Sequence, residues 1–228
     1  MSMNPKTESA RKPTTAAAPR VLLVHGIWNA KLWLAPFAMR LHREGLAPEL
    51  FGYDSVWRDP ERAGDRLIAH LRRKPVELLV GHSLGGLVIL EALRRAPDLP
   101  VRRVVCLGSP LCGSGVATAI GGRGPLSLVL GRSRGLLETG CAPWSGPAAV
   151  GMVAGNVARG VGGWFARMEG ESDGTVSVAE TRLPGLADHC IVPASHSGLV
   201  LSADAARQTA RFLHDGRFAA GPAAAAAG

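Results

Sequence analysis

Ser83 lies at the centre of a stretch whose residue types could perform nucleophilic catalysis. The pentapeptide from Gly81 to Gly85 reads G-H-S-L-G, follows the apolar run 76–80 and precedes a helix-like stretch that ends before Pro97. A tight strand–turn–helix connection of this kind exposes the serine hydroxyl, and the helix N-terminus behind it favours developing negative charge. We therefore predict that Ser83 is a nucleophile.

Ser133 and Ser172 occupy two further G-x-S-x-G pentapeptides. Gly140 and Pro143 would cut short any helix after Ser133, whereas Ser172 follows polar residues and leads into no helix. Neither serine has both of the flanking elements that an exposed nucleophile requires. We interpret both as serines of glycine-rich loops.

A serine hydroxyl needs a base to take its proton, and the base needs a carboxylate to orient it. His196 follows the last predicted strand, so we predict that it is the general base. Asp173 is predicted as the acid because it lies between serine and histidine in the chain, with Glu171 as the alternative. Asp173-Gly174 could also be a simple turn. Solvated or capping roles are expected for His42, His70 and His214, and structural hydrogen-bonding roles for His25 and His82. His189 starts the last predicted strand, away from this edge.

The tetrahedral intermediate of acyl transfer needs two N–H donors for its oxyanion. Leu84 directly follows the nucleophile, and Ile27 lies on the loop that follows the first predicted strand. We predict that their backbone N–H groups form this oxyanion hole, with Trp28 as a substrate contact beside it. Four tryptophans could line an acyl pocket or, alternatively, pack in the core: Trp28, Trp33, Trp144 and Trp164.

The elements that would position these residues alternate along the chain. Strands are predicted at 20–24, 49–53, 76–80, 101–107, 148–154 and 188–193, and helices at 31–44, 60–73, after Ser83, and at 204–213. This alternation predicts an α/β fold with a mostly parallel sheet of about six strands and helices on both faces. In such sheets, sites gather outside the carboxyl ends of the strands, where the candidate residues fall.

Composition sets the expected domain boundaries. Residues 1–19 are polar and aperiodic, so a disordered arm is expected there, and 219–228 form a low-complexity Ala/Gly/Pro tail. Residues 20–218 are then one domain, in which 111–147 is expected to form a small cap of short helices.

The remaining composition narrows the classes of function. Net charge is +8, but the arginines are scattered and aromatic residues are few, so no nucleic-acid site is expected. The sequence shows no leader and no long apolar run, so we expect a cytoplasmic protein without an integral membrane segment. The four cysteines lack C-x-x-C spacing, and neither a metal site nor another cofactor is predicted.

Several motifs resemble the lipase/esterase-like group of the α/β-hydrolase superfamily. They are the oxyanion motif Val24-His25-Gly26, the G-H-S-x-G-G elbow 81–86, the segment 108–114 that precedes a lipase lid, the acid loop 173–176 and the histidine loop 195–198. One departure is Leu111, where many lipases carry histidine. The resemblance implies an α/β-hydrolase fold over nearly all of 20–218 and a serine hydrolase without a metal.

The expected reaction is hydrolysis of a small-molecule carboxylic ester through an acyl-enzyme, with short-to-medium acyl chains favoured by the small cap. An acyltransferase or thioesterase would use every one of the same catalytic residues, so that alternative stays open. A non-catalytic binding module on the same scaffold is a further alternative, because a fold does not by itself determine a function.

Overall fold

The structure is a computed structural model of the 228-residue chain. It describes residues 17–26, 31–53, 60–114, 134–158 and 170–219.

Six parallel strands form one sheet. The strands are β1 (Arg20–Val24), β2 (Ala47–Phe51), β3 (Leu78–His82), β4 (Arg103–Leu107), β5 (Ala149–Gly155) and β6 (Asp188–Val192). Their order across the sheet is β2-β1-β3-β4-β5-β6, and all five described pairings are parallel. The predicted fold class is therefore confirmed, and all strand ends that carry candidate residues meet at one edge.

Helices cover both faces of this sheet. They are α1 (Ala35–Arg43, preceded by the 3-10 turn Lys31–Leu34), α2 (Pro60–Arg73), α3 (Leu84–Arg95), α4 (Arg134–Thr139) and α5 (Ala203–Asp215). Along β1, Leu22 and Val24 belong to one core and Val21 and Leu23 to the other, as the two-residue period of a strand requires. Residues of α2 and α3 fill the first core, and residues of α1 and α5 fill the second.

The structure corrects several predicted strand boundaries: β3 spans Leu78–His82 rather than 76–80, β4 begins at Arg103 rather than 101, and β2 moves at both ends. β2 begins at Ala47 rather than 49 and ends before Tyr53. Pro48 lies inside β2, which is possible because β2 is an edge strand of the sheet and a missing N–H on its open side breaks no ladder. Tyr53 leaves the strand because its backbone N–H donates to the imidazole of His25 instead.

The final helix is longer than predicted because both of its ends are capped. The hydroxyl of Ser202 accepts a hydrogen bond from the N–H of Ala205, which starts the helix at Ala203. Gly216 follows the last residue with a φ of 78°, the left-handed conformation that commonly ends a helix.

Part of the predicted cap is described. Residues 115–133 lie outside the described ranges, as do 1–16 of the predicted arm and 220–228 of the tail. In the described part, α4 places Leu137 in the first core. Trp144 is also buried in that core, and its Nε1 donates to the Ala148 carbonyl, so core packing is the better of its two interpretations.

None of the helices in the described ranges combines the length and the apolar character that crossing a membrane would need.

Candidate active site

Ser83 lies between β3 and α3 in a strained backbone conformation. Its φ is 54° and its ψ −124°, and it is the only non-glycine residue with positive φ in the described ranges. Such a conformation costs on the order of 1–3 kcal/mol and persists only where the surroundings enforce it. Here the Ser83 N–H donates to the Leu107 carbonyl of β4, and the helix that follows is buried along most of its length.

Two glycines of the pentapeptide are required by close approach of the backbone. A Cβ on Gly81 would lie 2.5 Å from the nitrogen of Gly86, and one on Gly85 would lie 2.3 Å from the carbonyl oxygen of Val24. Neither obstacle is a flexible side chain, so a larger residue at either position would displace the turn from the sheet. The G-x-S-x-G pattern therefore has a steric cause in this fold.

The structure brings Ser83, His196 and Asp173 together from distant parts of the chain. His196 Nε2 lies 3.1 Å from Ser83 Oγ, and His196 Nδ1 lies 2.7 Å from Asp173 Oδ2. A carboxylate only accepts hydrogen bonds, so Nδ1 carries the proton. That tautomer leaves Nε2 free to accept the hydrogen bond of the Ser83 hydroxyl, which is the arrangement a general base needs.

Asp173 is buried and held in place by backbone groups. Its Oδ1 accepts the N–H groups of Thr175 at 2.9 Å and Val176 at 2.7 Å. Its own carbonyl accepts the N–H of His196 at 2.9 Å, so acid and base are joined through main chain and side chain. Asp173 thus forms a turn and orients the histidine at once. The alternative acid, Glu171, is exposed.

Gly108 provides the space that this acid–base pair occupies. Its φ is 57°, and a Cβ there would lie 3.3 Å from both Asp173 Oδ2 and His196 Nδ1 and 2.7 Å from a methyl carbon of Leu199. Gly108 belongs to the lipase-like segment 108–114, but nothing in that motif predicts this steric requirement. The feature of the sequence that could have indicated this requirement is a glycine directly after a predicted strand.

The structure describes one of the two predicted oxyanion donors, Leu84. Leu84 is the first residue of α3, where N–H groups have no acceptor within the helix. Its N–H is therefore available beside Ser83. Ile27 and Trp28, the predicted second donor and substrate contact, lie outside the described residues.

The loop that leads to Ile27 is fixed by Tyr53, a residue that sequence reasoning missed. The Tyr53 hydroxyl donates to the His25 carbonyl at 2.8 Å, and the two rings stack with centroids 4.5 Å apart. Because His25 Nε2 accepts the Tyr53 N–H, its Nδ1 carries the proton and donates to the Gly26 carbonyl at 2.9 Å. Burial lowers the pKa of His25 and keeps this neutral form. Its position in the sequence could have indicated this contact, since Tyr53 follows β2, the strand that pairs with β1.

No group of three or more His, Cys, Asp or Glu side chains is arranged to hold a metal ion within the described ranges.

Comparison with known proteins gives one family match and several structural ones. Residues 21–227 match the model of a family described as "Alpha/beta hydrolase family". No curated protein sequence matches the chain.

The structural matches are similar in fold at low sequence identity. The mature form of Bacillus licheniformis lipase BlEst2 has a TM-score of 0.67 and 23% identity, over 86% of this chain and 90% of that one. Its propeptide form has a TM-score of 0.68 and 24% identity over 81% of this chain, which spans only 47% of that form. The type II thioesterase BorB from the borrelidin biosynthetic cluster has a TM-score of 0.57 and 18% identity, over 89% and 94%.

Proposed function

Because the chain belongs to the alpha/beta hydrolase family, we propose that it is a serine hydrolase that cleaves carboxylic esters through an acyl-enzyme. The observation that carries this proposal is the hydrogen-bonded series from Ser83 Oγ through His196 to Asp173, at 3.1 Å and 2.7 Å. Nucleophile, base and orienting acid in that geometry are the parts that acyl transfer from an ester requires.

In the acylation step, Ser83 Oγ attacks the ester carbonyl carbon and forms a new C–O bond. The hydroxyl proton moves to His196 Nε2, and the carbonyl π electrons move onto the carbonyl oxygen. Asp173 stays ionised and stabilises the imidazolium through the Nδ1 hydrogen bond. The N–H groups of Leu84 and Ile27 hold the oxyanion, and loss of one such donor costs on the order of 3 kcal/mol in the barrier.

Collapse of the tetrahedral intermediate breaks the bond to the alcohol oxygen, which takes the proton from His196 and leaves. Water then hydrolyses the acyl-enzyme. His196 removes a proton from the water molecule while the water oxygen attacks the acyl carbon. The tetrahedral intermediate that forms then releases Ser83 Oγ, which takes the proton back from His196. The products are one carboxylic acid and one alcohol. The chain supplies every proton carrier in these steps, so no further cofactor is invoked.

The proposal is tested by labelling with a fluorophosphonate probe and by turnover of p-nitrophenyl esters of increasing acyl length. We expect the probe to modify Ser83, as read by peptide mass spectrometry. We expect Ser83→Ala to abolish labelling and to lower kcat by at least about 10⁴-fold. Ser133→Ala is the matched control, because it removes a hydroxyl from a second G-x-S-x-G pentapeptide and is expected to keep both labelling and turnover.

A folded wild-type protein that takes up no label, or a Ser83→Ala variant with unchanged turnover, would contradict the proposal. Thermal unfolding of each variant is the control that tests whether the folded state is retained.

Thioester cleavage is a second candidate, favoured by the fold similarity to the type II thioesterase BorB. A thioester presents the same acyl carbon to Ser83, with a thiolate as leaving group. Parallel assays with matched oxygen esters and thioesters, with and without an alcohol acceptor, distinguish the activities. Free acid as the sole product from both substrate classes supports hydrolysis, whereas a new ester in the presence of the alcohol indicates acyl transfer.

A further inference from the structure

His82, the residue before the proposed nucleophile, contacts the residue proposed as its base. The side chain is buried, with 1% of its surface exposed. Its ring centroid lies 5.1 Å from that of His196, and its Nε2 lies 3.2 Å from the His196 carbonyl oxygen. The hydrogen bond thus joins the turn that carries Ser83 to the loop that carries the base.

The tautomer of His82 follows from its partner. A carbonyl oxygen only accepts hydrogen bonds, so Nε2 must carry the proton. Burial, and after it the nearby His196, lower the pKa of His82 to about 3, which keeps the ring neutral at pH 7. In that state Nδ1 is an unprotonated acceptor, and it is buried with no partner among the described residues. An unsatisfied buried acceptor is unfavourable, so packing alone does not account for a histidine here.

The backbone of His196 is held on both sides of its Cα. Its N–H donates to the Asp173 carbonyl at 2.9 Å, and its C=O accepts from His82. The first bond ties the base to its acid and the second ties it to the nucleophile. Together they set the position from which the imidazole must reach Ser83 Oγ.

We propose that His82 is a positioning residue, whose Nε2–H fixes the main chain of His196 relative to Ser83. The inference rests on the proposed function, because it assigns His82 a part in the same reaction without contact to the substrate. Misplacement of a reacting group by about 1 Å can cost 10²-fold in rate. Loss of the hydrogen bond is therefore expected to act on kcat more than on KM.

The test compares His82→Leu, which removes the donor, with His82→Gln, whose amide N–H₂ reaches about as far as Nε2. We expect His82→Leu to lower kcat by about 10- to 100-fold with less than about threefold change in KM. We expect His82→Gln to keep at least about a third of the wild-type kcat. Rates are normalised to the amount of Ser83 that a fluorophosphonate labels at completion, so a smaller folded fraction does not imitate a slower enzyme.

The matched control is His42→Leu. His42 Nδ1 also contacts a backbone carbonyl, that of Leu46 at 3.3 Å. Leu46 directly precedes β2, so this contact lies at the amino edge of the parallel sheet, opposite the edge that carries Ser83. We expect this variant to keep the wild-type kcat. Wild-type kcat in His82→Leu, or an equal loss in the leucine and glutamine variants, would overturn the positioning role.

Nitrogen-15 NMR of the wild-type imidazoles at pH 7 tests the same contact without any turnover. We expect His82 to show a protonated Nε2 and an unprotonated Nδ1. A protonated Nδ1 would overturn the inference even if His82→Leu failed to fold. Failure of the proposed function would instead appear as absent labelling of a wild-type protein in which the His82 tautomer is as expected, so the two failures are distinguishable.

Discussion

A methyl side chain at position 108 would crowd the two atoms of the hydrogen bond between Asp173 and His196. A Cβ there would lie 3.3 Å from Asp173 Oδ2 and 3.3 Å from His196 Nδ1, a separation at which the neighbours must move by a few tenths of an ångström. Because the Asp173–His196 hydrogen bond is 2.7 Å long, small shifts change its geometry. Gly108 therefore belongs to the site although it has no functional side chain.

We predict that Gly108→Ala lowers kcat by at least about tenfold, because the displaced imidazole no longer faces Ser83. The matched control is Gly45→Ala. Gly45 also has a positive φ, of 83°, but nothing lies within 4 Å of its added Cβ. The left-handed backbone should cost each variant about 1–2 kcal/mol of stability. Gly108→Ala should lose more than Gly45→Ala, because its Cβ also lies 2.7 Å from a methyl carbon of Leu199. Steady-state kinetics and urea unfolding measure the two effects, and equal kinetic losses in both variants would refute the prediction.

At this scale, chain order and spacing were enough to select Ser83, Asp173 and His196 as candidates, which the structure places in hydrogen-bond contact. They could be selected because each follows a predicted strand and the chemistry demands those residue types. The contributions of His82 and Gly108 depend on which atoms face each other across the turn. Such contacts follow from three-dimensional packing and leave only a weak trace in the sequence.

Residues that follow two neighbouring strands hold His25 and Gly26, which precede one predicted oxyanion donor in the chain. Tyr53 follows β2 and contacts His25, which follows β1. The Tyr53 hydroxyl donates to the His25 carbonyl, the Tyr53 N–H donates to His25 Nε2, and the two rings stack. His25 in turn donates to the Gly26 carbonyl. Gly26 directly precedes Ile27 in the chain, so we expect the hydrogen bond to the Gly26 carbonyl to influence the predicted second donor.

We predict that Tyr53→Phe lowers ester turnover by about tenfold, because the ring stays but the bond to the His25 carbonyl is lost. The rate ratio between an ester and its thionoester identifies the cause. Sulfur is a weak hydrogen-bond acceptor, so a weakened oxyanion hole should slow the ester more than the thionoester and lower the ratio. Partial unfolding would slow both equally.

Thr181→Val is the matched control for that experiment. It also removes a buried hydroxyl that donates to a backbone carbonyl, that of Val178 at 2.6 Å. Tyr53→Phe should lose about 1 kcal/mol of stability. Thr181→Val should lose somewhat more, because its hydroxyl also contacts His189 Nε2 at 2.8 Å. An unchanged ratio in Tyr53→Phe, or the same fall in Thr181→Val, would contradict the assignment of Tyr53 to the oxyanion loop.

The elements themselves were the most predictable part of the molecule. Apolar runs and alternation predicted all six strands, because a parallel sheet buried on both faces needs such runs. The ends were less predictable. Position 53 was predicted to be the last residue of the second strand, yet its N–H bonds to His25 outside the ladder. That choice depends on a residue far away in the sequence.

Over the whole molecule, buried neutral histidines make stability depend on pH. Burial lowers the pKa of His82 to about 3 and that of His189 to about 4 and also lowers that of His25. As the pH falls below the ordinary value near 6.5, the unfolded chain takes up protons that the folded protein does not. The stabilisation is therefore complete above that value and is lost progressively as the pH falls towards the folded pKa values.

We predict that lowering the pH from 6 to 5 destabilises the wild type by about 1 kcal/mol more than it destabilises His82→Gln, which lacks one of these groups. Urea unfolding at the two pH values measures the difference. In this interval most carboxylates stay ionised, so the histidines dominate the change. An equal pH dependence in both proteins would show that His82 also binds a proton when folded.

The strand order has a consequence for biosynthesis. Ser83 follows β3, in the middle of the sheet, whereas His196 follows β6, which lies at the sheet edge and is the last of the described strands to be made. A nascent chain that has left the ribosome only as far as β5 carries the serine without its partner. Contacts that span 113 residues also close late and slowly. If the proposed function holds, reactivity towards acyl groups is acquired only once translation has passed β6 and the loop that carries His196.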